Sequence, residues 1–569
     1  MITFRENGDG RVRAFISSVV PSKLAALAAL LSSNGFRRSG AEHCGAPECL
    51  PNIVMALDAE EHPFDLEPIV PFIHNEIRKC NESHKTTIDR VGKLEKAGNV
   101  KLWDYQFQDV LKMSEARASL NCSSVGTGKT ISVLFTLPSV ARDSKGAASP
   151  DAPRALVVCP TAAFSAWKTQ TANWRPDFTV EALKGTQSFR IPLPGEMLIV
   201  SYDSLPHLKS EGLPGKDLDE YYRDIKGCVY LIGDEVHYCK SFKASRTRRF
   251  RSLSLAILKK GGTSIGLTGT PIVNKPNDLW CLLQNHSLTK ETFGSWDSYC
   301  DIMGGYKNKF GGYEWGAQRG ECNELLAKVM IRNTLEEVFP DMPAKVKEVH
   351  WVDLEDAVLK AKLDEVWSEV EHLSQEEIMD RLHDTSFVSL SRVREKLASF
   401  KLEATLNLIK DLEENEEPMI VVSCYKKPVE KIGKRKGWRY ITGDVSAEDR
   451  EEIVKELDAG ILKGVALTAR AAGLSLNLQR AHRMIIIDRD VTVAMNTQVE
   501  GRIYRIGQQH PCLYTYILVS HPWEQRLNEI LEEKGNHNDG IIEPIKSAEN
   551  RRVRKSELLS QILSRYAPF

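Results

Sequence analysis

From Lys101 onward the chain repeats one pattern: a short β-branched run, a glycine-rich or polar turn, and then a helical stretch. Such alternation predicts a parallel α/β sheet. The strands fall at Ala155 to Cys159, Met197 to Ser201, Cys228 to Ile232 and Ser264 to Leu267, and each delivers polar residues at its C-terminal end, the edge where ligands bind in open α/β sheets. Between Phe293 and Leu412 the pattern changes to spacings of three and four, as in Leu359, Leu363, Val366 and Val370 and again in Leu390, Val393, Leu397 and Phe400. That predicts helices, preceded by a glycine-rich loop over Gly304 to Gly320. Strand runs return at Met419 to Ser423, Gly464 to Thr468, Met484 to Ile487 and Leu513 to Val519, so the second half reads as another copy of the first architecture.

The expected segmentation is an accessory domain over 1–99, a first sheet domain over 100–290, a helical insertion over 291–400, a second sheet domain over 401–535 and a tail over 536–569. The first segment alternates short apolar and polar stretches, with a helix-like run from Lys23 to Leu31 and a turn-rich Gly45 to Asn52. The tail holds a basic run, Arg551 to Lys555, and an amphipathic stretch, Leu558 to Ile562, read as a solvated or docking helix.

Composition narrows the partners. With 76 Lys+Arg against 77 Asp+Glu in 569 residues, a globally basic nucleic-acid coat is excluded, so any polyanion must meet a local patch. The 12 cysteines include no Cys-x-x-Cys pair, which fits a reducing compartment. His43, Cys44 and Cys49, with Cys80 further on, lack the two close pairs of a zinc site. Met1 to Phe15 is polar and no apolar run reaches ~18 residues, so the reading is a soluble intracellular protein: cytoplasmic in a prokaryote or virus-infected host, nuclear in a eukaryote.

The chemistry begins at Ser123-Ser124-Val125-Gly126-Thr127-Gly128-Lys129-Thr130, followed by the apolar helical stretch from Ile131. This is the phosphate-loop pattern GxxxxGK[ST], with Ser123 in place of the first glycine. Gly126, Thr127 and Gly128 would let backbone N–H groups surround phosphates at a helix N-terminus, Lys129 would supply charge, and Thr130 would ligate Mg²⁺. Further on, Val229-Tyr230-Leu231-Ile232 runs into Gly233-Asp234-Glu235-Val236-His237. There Asp234 would hold the metal through its water shell, Glu235 would orient or deprotonate an attacking water, and His237 would couple the site to neighbouring loops. ATP and Mg²⁺ are therefore the expected ligands.

With these residues in place, Leu102 to Lys534 resembles the superfamily-2 helicase-type ATPases, and more narrowly the SWI/SNF-type double-stranded-DNA translocases. The implied fold is α/β: two RecA-like parallel-sheet motor domains of the P-loop NTPase class, with a helical insertion and an N-terminal accessory domain. Leu102 to Gln106 is similar to the family's adenine-reading element, which implies nucleotide contacts for Tyr105 and Gln106. Leu156 to Thr161 resembles the first strand-contacting motif and Ile199 to Leu205 the next, implying nucleic-acid contacts for Pro160, Thr161, Ser201 and Tyr202. Leu267-Thr268-Gly269-Thr270-Pro271 resembles the element that couples hydrolysis to movement. In the second half, Met419 to Cys424 with Ser423, and Leu467 to Leu478 with Thr468 and Gly473, resemble motifs that touch nucleic acid and nucleotide. Gln498-Val499-Glu500-Gly501-Arg502-Ile503-Tyr504-Arg505-Ile506-Gly507-Gln508 is the strongest match, and its ending points to the SWI/SNF type. The resemblance assigns Gln498, Arg502 and Arg505 to catalysis, the two arginines reaching the γ-phosphate to stabilise transition-state charge. Ala472, Ser475, Ser241 and the run Val491-Thr492-Val493 depart from the family pattern, and Lys240 keeps it. The short spacing of the halves is closest in appearance to annealing helicases and fork remodellers.

Six cations, Lys240, Lys243, Arg246, Arg248, Arg249 and Arg251, crowd the stretch after the acidic strand and form the first choice for a phosphate-tracking surface. Lys431, Lys434, Arg435, Lys436 and Arg439 form the second. No zinc finger or helix-turn-helix signal is present, so recognition without sequence specificity is expected. The leading reading is an ATP-driven DNA-repair-type translocase on duplex or forked DNA. A strand-separating DNA or RNA helicase is the second, and an ATP-gated DNA-binding platform in a repair, recombination or defence complex, docking a protein partner through the first hundred residues, is the third. No membrane partner is expected.

Overall fold

The computed structural model describes residues 2–6, 11–16, 26–28, 30–31, 36–39, 42–45, 50–98, 101–183, 185, 189–273, 275–307, 312–316, 322–383, 388–414, 417–472, 476–542 and 555–566. Among these no disulfide is present, and no helix is long and apolar enough to cross a membrane. The chain divides into two compact units, Met1–Ser123 with Gly128–Asn333 and Ile541–Phe569, and Ser124–Thr127 with Thr334–Gly540.

In the first unit, a five-stranded sheet runs in the order Arg37–Ser39, Glu42–Gly45, Val12–Ile16, Ile2–Glu6, Phe64–Asp65. Ile2 and Phe4 alternate with polar neighbours, as do Val12 and Ala14, so one face supplies the core. Helices Leu50–Ala59 and Val70–Gly98 bring Ile53, Val54, Leu57 and Ile73 to that face. The helix Lys555–Tyr566 completes it with Leu559, Ile562 and Leu563. The expected tail is therefore not free: its apolar stripe is part of the N-terminal core, and each of those side chains contributes roughly 1.5–3 kcal/mol of burial. Only residues 26–28 and 30–31 of the expected helix over 23–31 are described, and they are helical. Residues 46–49, with Cys49 of the weak zinc reading, and the basic residues 551–554 lie outside the described residues.

The rest of the first unit is a seven-stranded parallel sheet in the order Met330–Ile331, Ala118–Asn121, Thr263–Leu267, Val229–Asp234, Arg154–Val158, Glu196–Val200, Thr179–Ala182. Its two faces are covered by separate apolar clusters, which explains the unbroken hydrophobic runs at its central strands. The second unit is a six-stranded parallel sheet, Lys345–Val352, Cys512–Val519, Arg483–Ile486, Met419–Ser423, Gly464–Thr468, Trp438–Ile441. Both are RecA-like sheets, as the sequence implies.

The stretch 291–400, read as a helical insertion, is shared between the two units, because the chain changes unit between Asn333 and Thr334. Leu288, Phe293, Tyr299 and Met303 pack into the first unit's core, whereas Leu359, Leu363, Val366 and Val370 pack against Val519, Trp523, Leu527 and Ile530 in the second. The expected loop over Gly304 to Gly320 instead contains a small antiparallel hairpin, Gly305–Lys307 with Tyr313–Trp315, ordered by ring contacts of Trp296 with Tyr313 and Trp315.

Candidate functional site

Three neighbouring strands of the first sheet, Ala118–Asn121, Thr263–Leu267 and Val229–Asp234, run parallel and so end on one edge. That edge carries the chemistry read from the sequence: the phosphate loop, Thr268-Gly269-Thr270, and Asp234-Glu235. In the loop, Gly126 has φ +92° and Gly128 φ +78°, both in the left-handed region that favours glycine. A Cβ on Gly128 would stand 2.5 Å from Gln106 Nε2, so the glycine also makes room for Gln106. Gln106 is buried with Tyr105 on the helix Asp104–Glu115, and its Oε1 accepts from Trp103 N at 3.2 Å. Lys129 opens the helix Lys129–Thr136 and donates from Nζ to Ser123 O at 2.8 Å; Thr130 lies in the same first turn. Burial lowers the ammonium pKa of Lys129, and Glu235 and Asp234 oppose that by their charge. Thr127 donates from its hydroxyl to Ser124 O at 2.9 Å.

Asp234 Oδ2 accepts from the indole Nε1 of Trp167 at 2.8 Å, and Oδ1 accepts from Glu235 N at 3.0 Å. Removal from water, and next the neighbouring charge of Glu235, push the Asp234 carboxyl up to about 6. Glu235 itself sits at φ +51°, ψ 48°, a left-handed conformation that a non-glycine residue adopts at a cost. From there its Oε2 lies 3.3 Å from His237 Nδ1, which is 3.0 Å from Thr268 Oγ1. Thr268 Oγ1 accepts in turn from Thr270 N at 3.1 Å. The acid, the histidine and the second strand end are thus one contiguous polar chain. Arg332 fixes that strand end further, donating from Nη1 to Cys122 O at 2.7 Å and to Gly269 O at 3.3 Å.

The residues present fit a magnesium nucleotide. Gly126 and Gly128 keep Cβ atoms out of the loop, Thr130 and Asp234 offer hard oxygen ligands, and the Asp234 carboxyl is raised by burial and by the charge of Glu235, which a cation would relieve.

In the second unit, Gln498 and Glu500 are buried on the helix Val493–Glu500. Glu500 Oε2 meets Lys345 Nζ at 2.6 Å and Lys347 Nζ at 3.5 Å, and Oε1 accepts from Tyr516 OH at 2.7 Å. Burial works against the Glu500 charge, but the two lysines outweigh it and hold the carboxyl down at about 2. Arg502 is buried and donates from Nε to Ala472 O at 2.5 Å, while Arg505 donates from Nε to Gly501 O at 2.8 Å. Burial lowers the Arg505 guanidinium to about 10. Gly473 and Ser475 lie outside the described residues.

Several expected nucleic-acid contacts are turned inward. Tyr202 is 2% exposed and donates from its hydroxyl to Asp234 O at 2.8 Å, so it braces the acidic strand end. Ser201 Oγ accepts from Ser204 N at 3.1 Å within the next turn. Ser423 is fully buried and donates to Asp488 Oδ1 at 2.6 Å, and Thr468 Oγ1 accepts from Ala471 N at 3.4 Å. These side chains are hydrogen-bonded within the strand ends. Thr161 is exposed and Pro160 partly so. In the first basic cluster Lys240 pairs with Asp278, Arg246 with Asp203, and Arg248 and Arg249 with Glu211, while Arg251 donates to Asn285. Trp167 follows the first strand-contacting motif in the sequence and Ser123 stands in a glycine position, whereas Asp109, Asn333 and Asp488 carry no sequence signal as site residues.

A family model described as SNF2-related domain matches residues 79–401, and one described as helicase conserved C-terminal domain matches residues 400–507. The putative ATP-dependent helicase/translocase YwqA of Bacillus subtilis is 24% identical over 450 residues, 74% of this chain and 46% of that protein. The DNA annealing helicase and endonuclease ZRANB3 of Homo sapiens is 26% identical over 370 residues, 62% of this chain and 33% of that protein. The chain thus spans less than half the length of these curated relatives. Among solved structures, the Sulfolobus solfataricus SWI2/SNF2 ATPase core in complex with dsDNA is 18% identical, covering 78% of this chain and 93% of that one at a TM-score of 0.34. With the SNF2-related model spanning more than half of its length, and the phosphate loop and acidic strand end on one sheet edge, this chain belongs to the SNF2-related helicase family.

Proposed function

We propose that this chain is an ATP-dependent motor that hydrolyses ATP while translocating on duplex or forked DNA without sequence specificity. The observation that carries the reading is the single edge on which the phosphate loop, the Thr268-Gly269-Thr270 turn and the Asp234-Glu235 pair lie, the last two joined through His237. Lys129 and the N–H groups of the loop would bind the phosphates, and Thr130 and Asp234 would hold Mg²⁺. When bound, the ion would supply Lewis-acid stabilisation of the phosphoryl oxygens. Glu235 orients the attacking water and takes its proton. Arg502 and Arg505 each spend Nε on a backbone carbonyl, of Ala472 and Gly501, and would offer their remaining guanidinium N–H groups to the transition-state charge. His237 passes the acidic residues' state to Thr268. The annealing-helicase likeness of one relative supports a substrate of forked or paired DNA strands over RNA.

Steady-state ATPase with duplex, forked and single-stranded DNA and RNA tests this. Duplex or forked DNA is expected to stimulate turnover at least ~10-fold over RNA, and Lys129→Ala to abolish it. Retained turnover in Lys129→Ala, or stimulation by RNA alone, would overturn the reading. Triplex displacement without duplex unwinding identifies a translocase; unwinding identifies a strand-separating helicase.

A further inference from the structure

Ser123 occupies the first-glycine position of the phosphate loop, and its polar groups are all engaged. Its N donates to Asn121 Oδ1 at 3.1 Å, and its carbonyl accepts Lys129 Nζ. Its Oγ accepts from Asn333 N at 3.2 Å and from Asn333 Nδ2 at 3.1 Å. The same Nδ2 lies 3.1 and 3.0 Å from the two carboxylate oxygens of Asp109. Ser123, Asn333 and Asp109 are 1%, 5% and 2% exposed, so these bonds form without competition from water.

The positions matter as much as the bonds. Asp109 is on the helix that carries Tyr105 and Gln106. Ser123 starts the loop that holds the catalytic lysine. Asn333 is the last residue of the first unit, immediately before the chain enters the second. A glycine at 123 would remove the Oγ on which Asn333 N and Nδ2 both converge, leaving the Asp109 side of the link in place. The serine is thus more than a tolerated replacement: it provides the acceptor that ties the loop to the departing chain.

We propose that Asn333, through Ser123 and Asp109, is a positioning residue that couples the phosphate loop to the chain leaving the first unit, so that nucleotide state and DNA-stimulated movement stay in step. The proposal rests on the ATPase reading above. A coupling of ordinary size corresponds to roughly 5–150-fold in the coupled quantity.

The test uses the full chain with ATP and a forked duplex, in Ser123→Gly, Asn333→Ala and the double variant. The ratio of DNA-stimulated to unstimulated turnover is expected to fall about tenfold in each single variant, with KM for ATP moving less than about threefold. The double variant is expected to be no worse than the poorer single one, because both remove one linkage. A ratio unchanged while both turnovers and the thermal midpoint drop together would make the triad merely structural and overturn the proposal. So would wild-type coupling in Ser123→Gly, which restores the pattern's glycine, or losses that multiply in the double variant. Where Asn333→Ala does not fold, Ser123→Gly, which deletes only Cβ and Oγ, decides. Absence of ATP turnover in the wild type would instead defeat the ATPase reading itself, so the two failures are distinguishable.

Discussion

Asp234 in the first unit and Glu500 in the second are both carboxylates withdrawn from water, yet they settle on opposite sides of the ordinary range. Asp234 is pushed up to about 6, Glu500 down to about 2. Burial disfavours both charges; the partners differ. Asp234 has an indole N–H, one backbone N–H and the charge of Lys129, which burial and the like charge of Glu235 together outweigh. Glu500 has two ammonium groups and a phenol. A buried charge left short of compensation stores electrostatic free energy that a cation or a proton releases, the condition of a reacting site. A compensated one is a clamp, and here it anchors the end of the helix preceding Arg502 and Arg505 to the edge strand Lys345–Val352.

The largest effect expected from this contrast is in Glu235→Gln. Turnover should fall by roughly 10²–10⁴-fold, the usual contribution of a positioned general base. The thermal midpoint at pH 8 should hold or rise, because the substitution removes a like charge from beside Asp234. Lost activity accompanied by a lowered midpoint would break the comparison, since Glu235 would then behave as Glu500 does.

Glu500→Gln is the complementary experiment, with stability as its readout. Its folded pKa is depressed from 4.5 to about 2, so its contribution is fully present above 4.5 and is lost as pH falls toward 2. At pH 7 the variant should be less stable by on the order of 2 kcal/mol. Lys345 and Lys347 are 32% and 37% exposed, and water weakens their pull, which keeps the figure modest. Urea unfolding of both proteins at pH 7, 5, 4 and 3 should show the gap closing between 4.5 and the acid limit. A gap independent of pH would mean that packing, and not charge, holds the helix end.

The same contrast explains what was readable in the sequence. The phosphate loop, Asp234-Glu235 and the central strands are contiguous runs, and a strand buried on both faces shows itself as an unbroken apolar stretch. The strand Lys345–Val352 was missed because it lies at a sheet edge, exposed along almost its whole length, and alternates lysines with valines. The Asp109–Asn333–Ser123 triad joins residues more than two hundred positions apart, a pairing that no local pattern encodes. Helix Lys555–Tyr566 returns to a core begun at Ile2, so its amphipathic stripe is visible in the sequence while its partner is not. Family motifs mark which residues recur; they do not say that Ser201, Tyr202, Ser423 and Thr468 turn inward.

The smallest effects concern the two basic clusters, which differ in how far their cations are already paired. Arg248 and Arg249 face one carboxylate, Glu211, which is held below the usual range: burial raises it, but hydrogen bonding to Arg249 prevails. Charges already neutralised release few counterions on meeting a phosphate, so Arg248→Ala should change DNA affinity by less than about twofold and leave its salt dependence unaltered. Lys431 and Lys434 are exposed on and just after the helix Lys426–Gly433. If phosphates meet that face, Lys431→Ala with Lys434→Ala should weaken binding uniformly across sequences and lower the salt slope by about one per lost contact. Glu211→Gln supplies the sign test, because it frees two guanidinium groups and should strengthen binding at low salt. Unchanged affinity in Glu211→Gln, together with a large loss in Arg248→Ala, would return the phosphate-tracking role to the first cluster.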